Sequence, residues 1–128
     1  MGDITTIRTS VSSNTTDIKF TREVTLRWVH VTYTSDANAG NRQISLSLTD
    51  GTNAYWDTHA GAVQAASNVY HYHFLPGIYR ETSFTDSEIE VPIAIESVIP
   101  AGFHLVFVDE TGVSGSDSFI ISYQTETR

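Results

Sequence analysis

Hydrophobic and polar positions alternate in short runs along most of this chain. The clearest run is residues 43–49, where Ile44, Leu46 and Leu48 point one way and Gln43, Ser45, Ser47 and Thr49 the other. Successive side chains of an extended strand leave opposite faces, so a period of two marks a strand with one buried face. Just upstream, residues 24–34 are β-branched and aromatic, without Gly or Pro. That composition suits a pleated, half-buried surface. Between the two runs, residues 35–41 supply Asp36, Asn38, Gly40 and Asn41, residue types that tolerate a tight reversal. The spacing predicts a long antiparallel hairpin over residues 22–51.

The pattern continues downstream. Asp50-Gly51 reads as a turn, followed by a short strand over residues 54–58. Residues 59–66 are alanine-rich and predict either one helical turn or a loop. Residues 68–75 alternate again, with Tyr70, Tyr72 and Phe74 on one face and Val69, His71 and His73 on the other; Pro76-Gly77 ends that strand. Residues 78–87 predict a loop. Residues 88–95 predict a strand with Ile89, Val91, Ile93 and Ile95 inward, and Pro92 at an edge or bulge, where its missing N–H does no harm. Phe103, Leu105 and Phe107 share a face of residues 103–109, and Phe119, Ile121 and Tyr123 share one of residues 119–125. About eight strand signals separated by Gly, Pro or Asn predict an all-β fold. The expected form is an antiparallel two-sheet β-sandwich, closer to a jelly roll than to an immunoglobulin-like sandwich.

Residues 1–21 differ. Nine of them are Ser or Thr, and Ile4, Ile7 and Val11 stand isolated. Two forms suit so polar a segment: a frayed or edge strand, or an extended arm that adds to a sheet edge of a neighbouring subunit. The expected organisation is an N-terminal arm over residues 1–16 and one sandwich domain over residues 17–128.

The 128 residues match one domain of common size. Cysteine is absent, which removes disulfides and thiolate chemistry. The formal charge of −8, from 15 acidic against 7 basic residues, opposes nucleic acid and anionic membrane as partners. Arg8, Lys19, Arg22, Arg27, Arg42, Arg80 and Arg128 form no basic patch in the sequence. No stretch approaches the ~20 apolar residues of a membrane helix, and the first residues lack the apolar core of a secretory signal.

Candidate chemistry is sparse. His71 and His73 leave the same strand face, a two-ligand geometry for zinc or nickel, with His30, His59 and His104 at no fixed spacing to them. Asp109, Glu110 and Asp117 flank a Gly/Ser loop but miss the calcium-loop spacing. Ser114 lacks the G-x-S-x-G order, and Asp57 and His59 form no recognisable triad. The reading is a solvated strand face, a solvated turn and no catalytic residues, with no metal or cofactor. Of Tyr55 and Trp56, adjacent on a short strand, one must face outward. Exposed aromatics anchor interfaces or stack on sugars. Candidate partner-binding residues are Ile4, Ile7, Val11, Tyr55, Trp56, Ile78 and Tyr79.

Three segments carry a resemblance. Ala39-Gly40-Asn41-Arg42 opens the alternating strand that ends at Asp50-Gly51. Gln64-Ala65-Ala66-Ser67 leads to the aromatic strand closed by Pro76-Gly77. Ile99-Pro100-Ala101-Gly102 leads to Asp109 and a Gly/Ser turn before the last strand. Over residues 26–126 this pattern resembles small proteins encoded in the structural modules of tailed bacteriophages. The resemblance implies a non-enzymatic virion protein, made in the host cytoplasm. Its expected role is capsid decoration, binding the major capsid protein or other virion proteins as a trimer or dimer. The alternative is a carbohydrate- or receptor-binding sandwich of a tail or head fibre.

Overall fold

The alternating segments become strands, which the computed structural model arranges in two sheets. It describes residues 3–9, 15–60, 63–77, 82–85, 88–93, 98–111 and 117–127. The strands are β1 (Asp3–Thr9), β2 (Thr15–Lys19), β3 (Val24–Thr34), β4 (Ile44–Thr49), β5 (Ala54–His59), β6 (Val69–Pro76), β7 (Thr82–Thr85), β8 (Glu88–Ile93), β9 (Val98–Ile99), β10 (His104–Asp109) and β11 (Ser118–Thr127). There is no helix among the described residues, and none long and apolar enough to cross a membrane.

One sheet has the order β1-β11-β3-β6-β8-β7, with β9 pairing the start of β3; the other has the order β2-β10-β4-β5. The pairs β1–β11, β2–β10, β3–β6 and β4–β5 are all antiparallel. Apart from the short strands β7–β9, first pairs with last, second with second-last, and so inward to β4–β5. A ribbon paired in this way and rolled across two sheets is a jelly roll of eight strands. The remaining three, β7, β8 and β9, lie between β6 and β10 in the chain and widen the first sheet.

The long hairpin expected over residues 22–51 does not form. β3 pairs with β11, β6 and β9, whereas β4 pairs with β10 and β5. The chain between them crosses from one sheet to the other. Both strands have a fully apolar face: Val29, Val31 and Tyr33 on β3, and Ile44, Leu46 and Leu48 on β4, all essentially inaccessible. Side by side in one sheet they would need a second layer to cover both; in opposite sheets they contribute to covering one core. The true hairpin is β4–β5, turned at Asp50, whose carboxylate accepts the backbone N–H groups of Thr52 and Asn53 at 2.8 Å. Gly51 supplies the positive φ of 101°.

Other expectations shift in detail. Among the described residues eleven strands replace about eight, because weak polar stretches also find sheet partners. The first sheet is mixed, since β6 and β8 run parallel. β7 fills the outer edge of β8 over Glu88–Glu90 only, so Pro92 lies beyond that pairing and costs no hydrogen bond there. Residues 3–9, placed in the arm by the sequence, run as β1 along β11 of the same chain. Residues 63–68 are a loop with one bridge, Arg42 to Gln64.

The core lies between the sheets. Tyr33 and Phe119 from the first sheet stack at 6.0 Å with planes 7° apart; Phe107 from the second approaches Phe119 at 4.8 Å and Tyr33 at 6.0 Å. All three are buried, and aromatic pairs add to the burial they bring. Phe107→Ala should destabilise the fold by about 3–5 kcal/mol, because the ring leaves a cavity between two sheets that cannot close on it. Urea denaturation followed by tryptophan fluorescence measures this, and a loss under 1 kcal/mol would disprove the interlayer role.

Candidate functional site

The most developed polar site is the crossing from β3 to β4, built around Arg42. Its side chain is wholly buried, an unusual place for a guanidinium unless every donor is met. All five N–H donors are met. Nε donates to Asp117 Oδ2 at 3.0 Å, and Nη2 to Asp117 Oδ1 at 3.1 Å and Asp36 Oδ1 at 2.8 Å. Nη1 donates to the carbonyls of Asn38 and Gly40 at 3.0 and 2.8 Å. The fork geometry of Arg–carboxylate pairing is satisfied by Asp117, just before β11. Gly40 takes φ 125° to present its carbonyl to the guanidinium.

Further bonds draw neighbouring loops to the same point. Arg42 and Gln64 exchange backbone bonds at 2.7 and 2.8 Å. The Gln64 amide donates to the carbonyls of Tyr33 and Asn68, both at 2.9 Å, and its oxygen accepts from the Tyr72 hydroxyl at 3.0 Å. Tyr33 donates its hydroxyl to Asp117 Oδ2 at 2.8 Å. Burial alone would lower the Arg42 pKa; the bonds to Asp117 and the charges of Asp117 and Asp36 outweigh it, and the pKa is raised. Tyr33 is pushed far up, first by burial and then by its bond to Asp117. In the sequence Arg42 is one of seven scattered bases. The Asp-, Asn- and Gly-bearing segment just before it, residues 36–41, was the available signal.

The arrangement is a clamp, in which the guanidinium and the Asp117 carboxylate are spent on each other and on neighbouring loops. Asp117, a calcium candidate in the sequence, is taken by Arg42. Asp109 Oδ1 accepts from the Gln43 backbone at 3.0 Å and from Thr111, while its buried Oδ2 has no partner among the described residues. His59 contacts Glu110 and lies 3.3 Å from Asp57. His104 Nδ1 is 2.6 Å from Asp17 Oδ1 across β2–β10.

The predicted contact residues separate. Tyr55 faces outward, 61% exposed, edge-on to Phe103 at 4.8 Å. Trp56 is half-buried against the core. Ile4 and Ile7 sit opposite Gln124 and Ile121 in the β1–β11 register. Val11, Ile78 and Tyr79 lie outside the described residues, as does Ser114.

His71 and His73 do share a face, and the register adds His30 to them. His30 is directly across from His73, and Thr32 from His71. The rings stack rather than converge: His30 to His73 at 4.6 Å and His30 to His71 at 5.8 Å. No group of three or more His, Asp or Glu among the described residues is placed to hold a metal ion. Period-two spacing revealed the pair within one strand; only pairing across strands reveals the third ring.

No protein-family model matches the chain, and no curated protein matches it.

Two measurements test the clamp. Arg42→Met should cost about 3–5 kcal/mol, because it leaves Asp117 buried without its counter-charge. Arg42→Met/Asp117→Leu should cost clearly less than the sum of the single changes; additive losses in chemical denaturation would refute the coupling. Tyr33 supplies a pH test. Above about pH 10 an unfolded tyrosine loses its proton while Tyr33 in the fold keeps it, so the folded state binds more protons and stability falls as pH rises. In Tyr33→Phe that alkaline fall between about pH 10 and 12 should be shallower; identical pH slopes would contradict it.

Proposed function

We propose that this protein is a non-enzymatic structural component of a tailed-bacteriophage virion, and within that class a capsid decoration protein that binds the outer surface of the head. The observation that carries the reading is how the polar groups are used. The ionisable cluster, buried Arg42, Asp117 and Tyr33 with half-buried Asp36, is consumed in holding loops together. A fold whose charged core locks geometry suits a part that must keep its shape under load.

Two further points support it. The jelly roll is an architecture of viral capsid domains and of lectins; this is analogy of fold, and fold alone does not assign function. The resemblance over residues 26–126 points to the same class. For contact, the strongest residue is Tyr55, an exposed aromatic beside Phe103 on edge strand β5. A standard interface takes about 800 Å² from each partner, roughly an eighth of the 6686 Å² surface of this chain. The sugar-binding alternative is less well served, because Trp56 packs inward and Tyr55 stands without a second exposed aromatic beside it on β5.

Purified virions of the phage that encodes the chain should contain it in capsid-like copy number by quantitative mass spectrometry, with density for it on the head surface by electron microscopy. Tyr55→Ala should weaken its retention on the head at least tenfold while leaving the melting temperature within about 2 °C, since an exposed side chain adds little to folding. Absence from purified virions would overturn the proposal; unchanged retention of the variant would remove Tyr55 from the interface.

A further inference from the structure

The outer face of the seven-stranded sheet carries three imidazoles in contact. His30 lies on central strand β3; His71 and His73 lie on its neighbour β6. The rings of His30 and His73 are 4.6 Å apart and 21° from parallel, and those of His30 and His71 are 5.8 Å apart and 8° from parallel. His71 Nδ1 is 3.1 Å from the Thr32 hydroxyl, which restrains that ring. All three residues are half-buried, so water screens them only in part.

The acids nearby are few. From β8, Glu88 reaches His73 Nε2 at 3.1 Å and His71 Nε2 at 3.8 Å. Glu90 is the register partner of His73 on the same strand. On the other side, β11 places Gln124, Ser122 and Ile120 opposite Trp28, His30 and Thr32, so no titratable side chain faces the stack from there. On β3 itself, Arg27 is held by Glu126. Among the described residues, one carboxylate therefore touches two of the three bases.

We propose that this stack is an acid-sensing element, in which protonation of more than one ring sets imidazolium charges against each other and weakens the β3–β6 pairing at the centre of the sheet. Glu88, in contact with His73 and His71, offers one negative charge to offset one imidazolium. Each later proton places a like charge within ring-stacking distance of the first, where repulsion is least screened.

The position of His30 supports this. Its pKa lies below the ordinary histidine value, because burial disfavours its charge and His73 and His71 repel it, with Glu88 opposing. A histidine of lowered pKa binds fewer protons folded than unfolded. Its contribution to stability is therefore complete above the ordinary value of about 6.5 and is lost as pH falls through that value toward the folded one. That window is the one in which histidine switches commonly act.

The test is an NMR titration of the imidazole C–H signals from pH 8 to 4.5 in the intact protein and in His73→Gln and Glu88→Gln. In the intact protein, His30 should titrate below an unperturbed histidine. In His73→Gln its midpoint should rise, and in Glu88→Gln it should fall further. Thermal melting supplies the second readout: the melting temperature should drop between pH 7 and 5 by on the order of 3 °C more in the intact protein than in His30→Gln. A His30 midpoint that is the same in the intact protein and in His73→Gln would overturn the proposal. So would equal pH-dependent drops in the intact protein and His30→Gln. Far-UV circular dichroism at pH 7.5 checks that each variant is folded before comparison.

Discussion

A guanidinium with no access to water constrains everything around it. Arg42 must find five acceptors inside the protein, and it finds them on segments far apart in sequence: Asp36, Asn38 and Gly40 before it, and Asp117 seventy-five residues later. Each segment is fixed by the others. The crossing from β3 to β4 cannot relax into a tight hairpin turn without exposing or orphaning the charge. The start of β11 is pinned by the same carboxylate that accepts from Tyr33, so the clamp and the aromatic core share a residue. Replacing such a cluster by apolar groups is often harmless to stability, whereas removing one member is not. Here the cluster holds a particular connection between two sheets, which an apolar plug would not specify.

The jelly roll depends on that connection. Its eight strands pair from the outside inward, and the crossing from β3 to β4 precedes the innermost hairpin, β4–β5. If that crossing is set, β4 enters the second sheet with Ile44, Leu46 and Leu48 facing the core. A slip of one residue would turn Ser45 and Ser47 inward instead. The backbone bridge of Arg42 with Gln64 then ties the exit of β5 to the same point, close to where β6 returns to the first sheet. The side-chain bonds at Gln64 meet Tyr72 on β6 itself.

How much of this could be read from the chain follows from the range of each interaction. Period-two alternation is local, so β3, β4, β6, β10 and their inward residues were legible, as was the sandwich class. Which strands pair is not local. The loop at residues 35–41 looks like a reversal because Asp, Asn and Gly serve tight turns and also serve loops that wrap a charge. Arg42 reads as a surface base because most arginines are exposed; its burial is visible only once Asp117 is known to be near. The parallel pairing of β6 with β8 was hidden for the same reason, since it depends on β7 passing outside β8. At the candidate contact surface, Tyr55 and Trp56 were legible as a pair with one outward member. Which one it is depends on the irregular register between β4 and β5 near Thr49.

These features divide the molecule along its length. β4 begins beside the Arg42 clamp and ends, six residues and roughly 20 Å later, at the Asp50 turn. At that far end Tyr55 meets Phe103, and Phe20 exchanges backbone bonds with Gly102 and Phe103. One end is thus closed by buried charge, and the other presents an aromatic ring on a strand at the edge of its sheet among the described residues. In the docking role proposed above, contact at the aromatic end need not disturb the lock at the other. The His30 stack lies between the two, on strands that run the length of the first sheet. A change of charge there acts on the pairing that connects the locked end to the exposed one, without touching a residue of either.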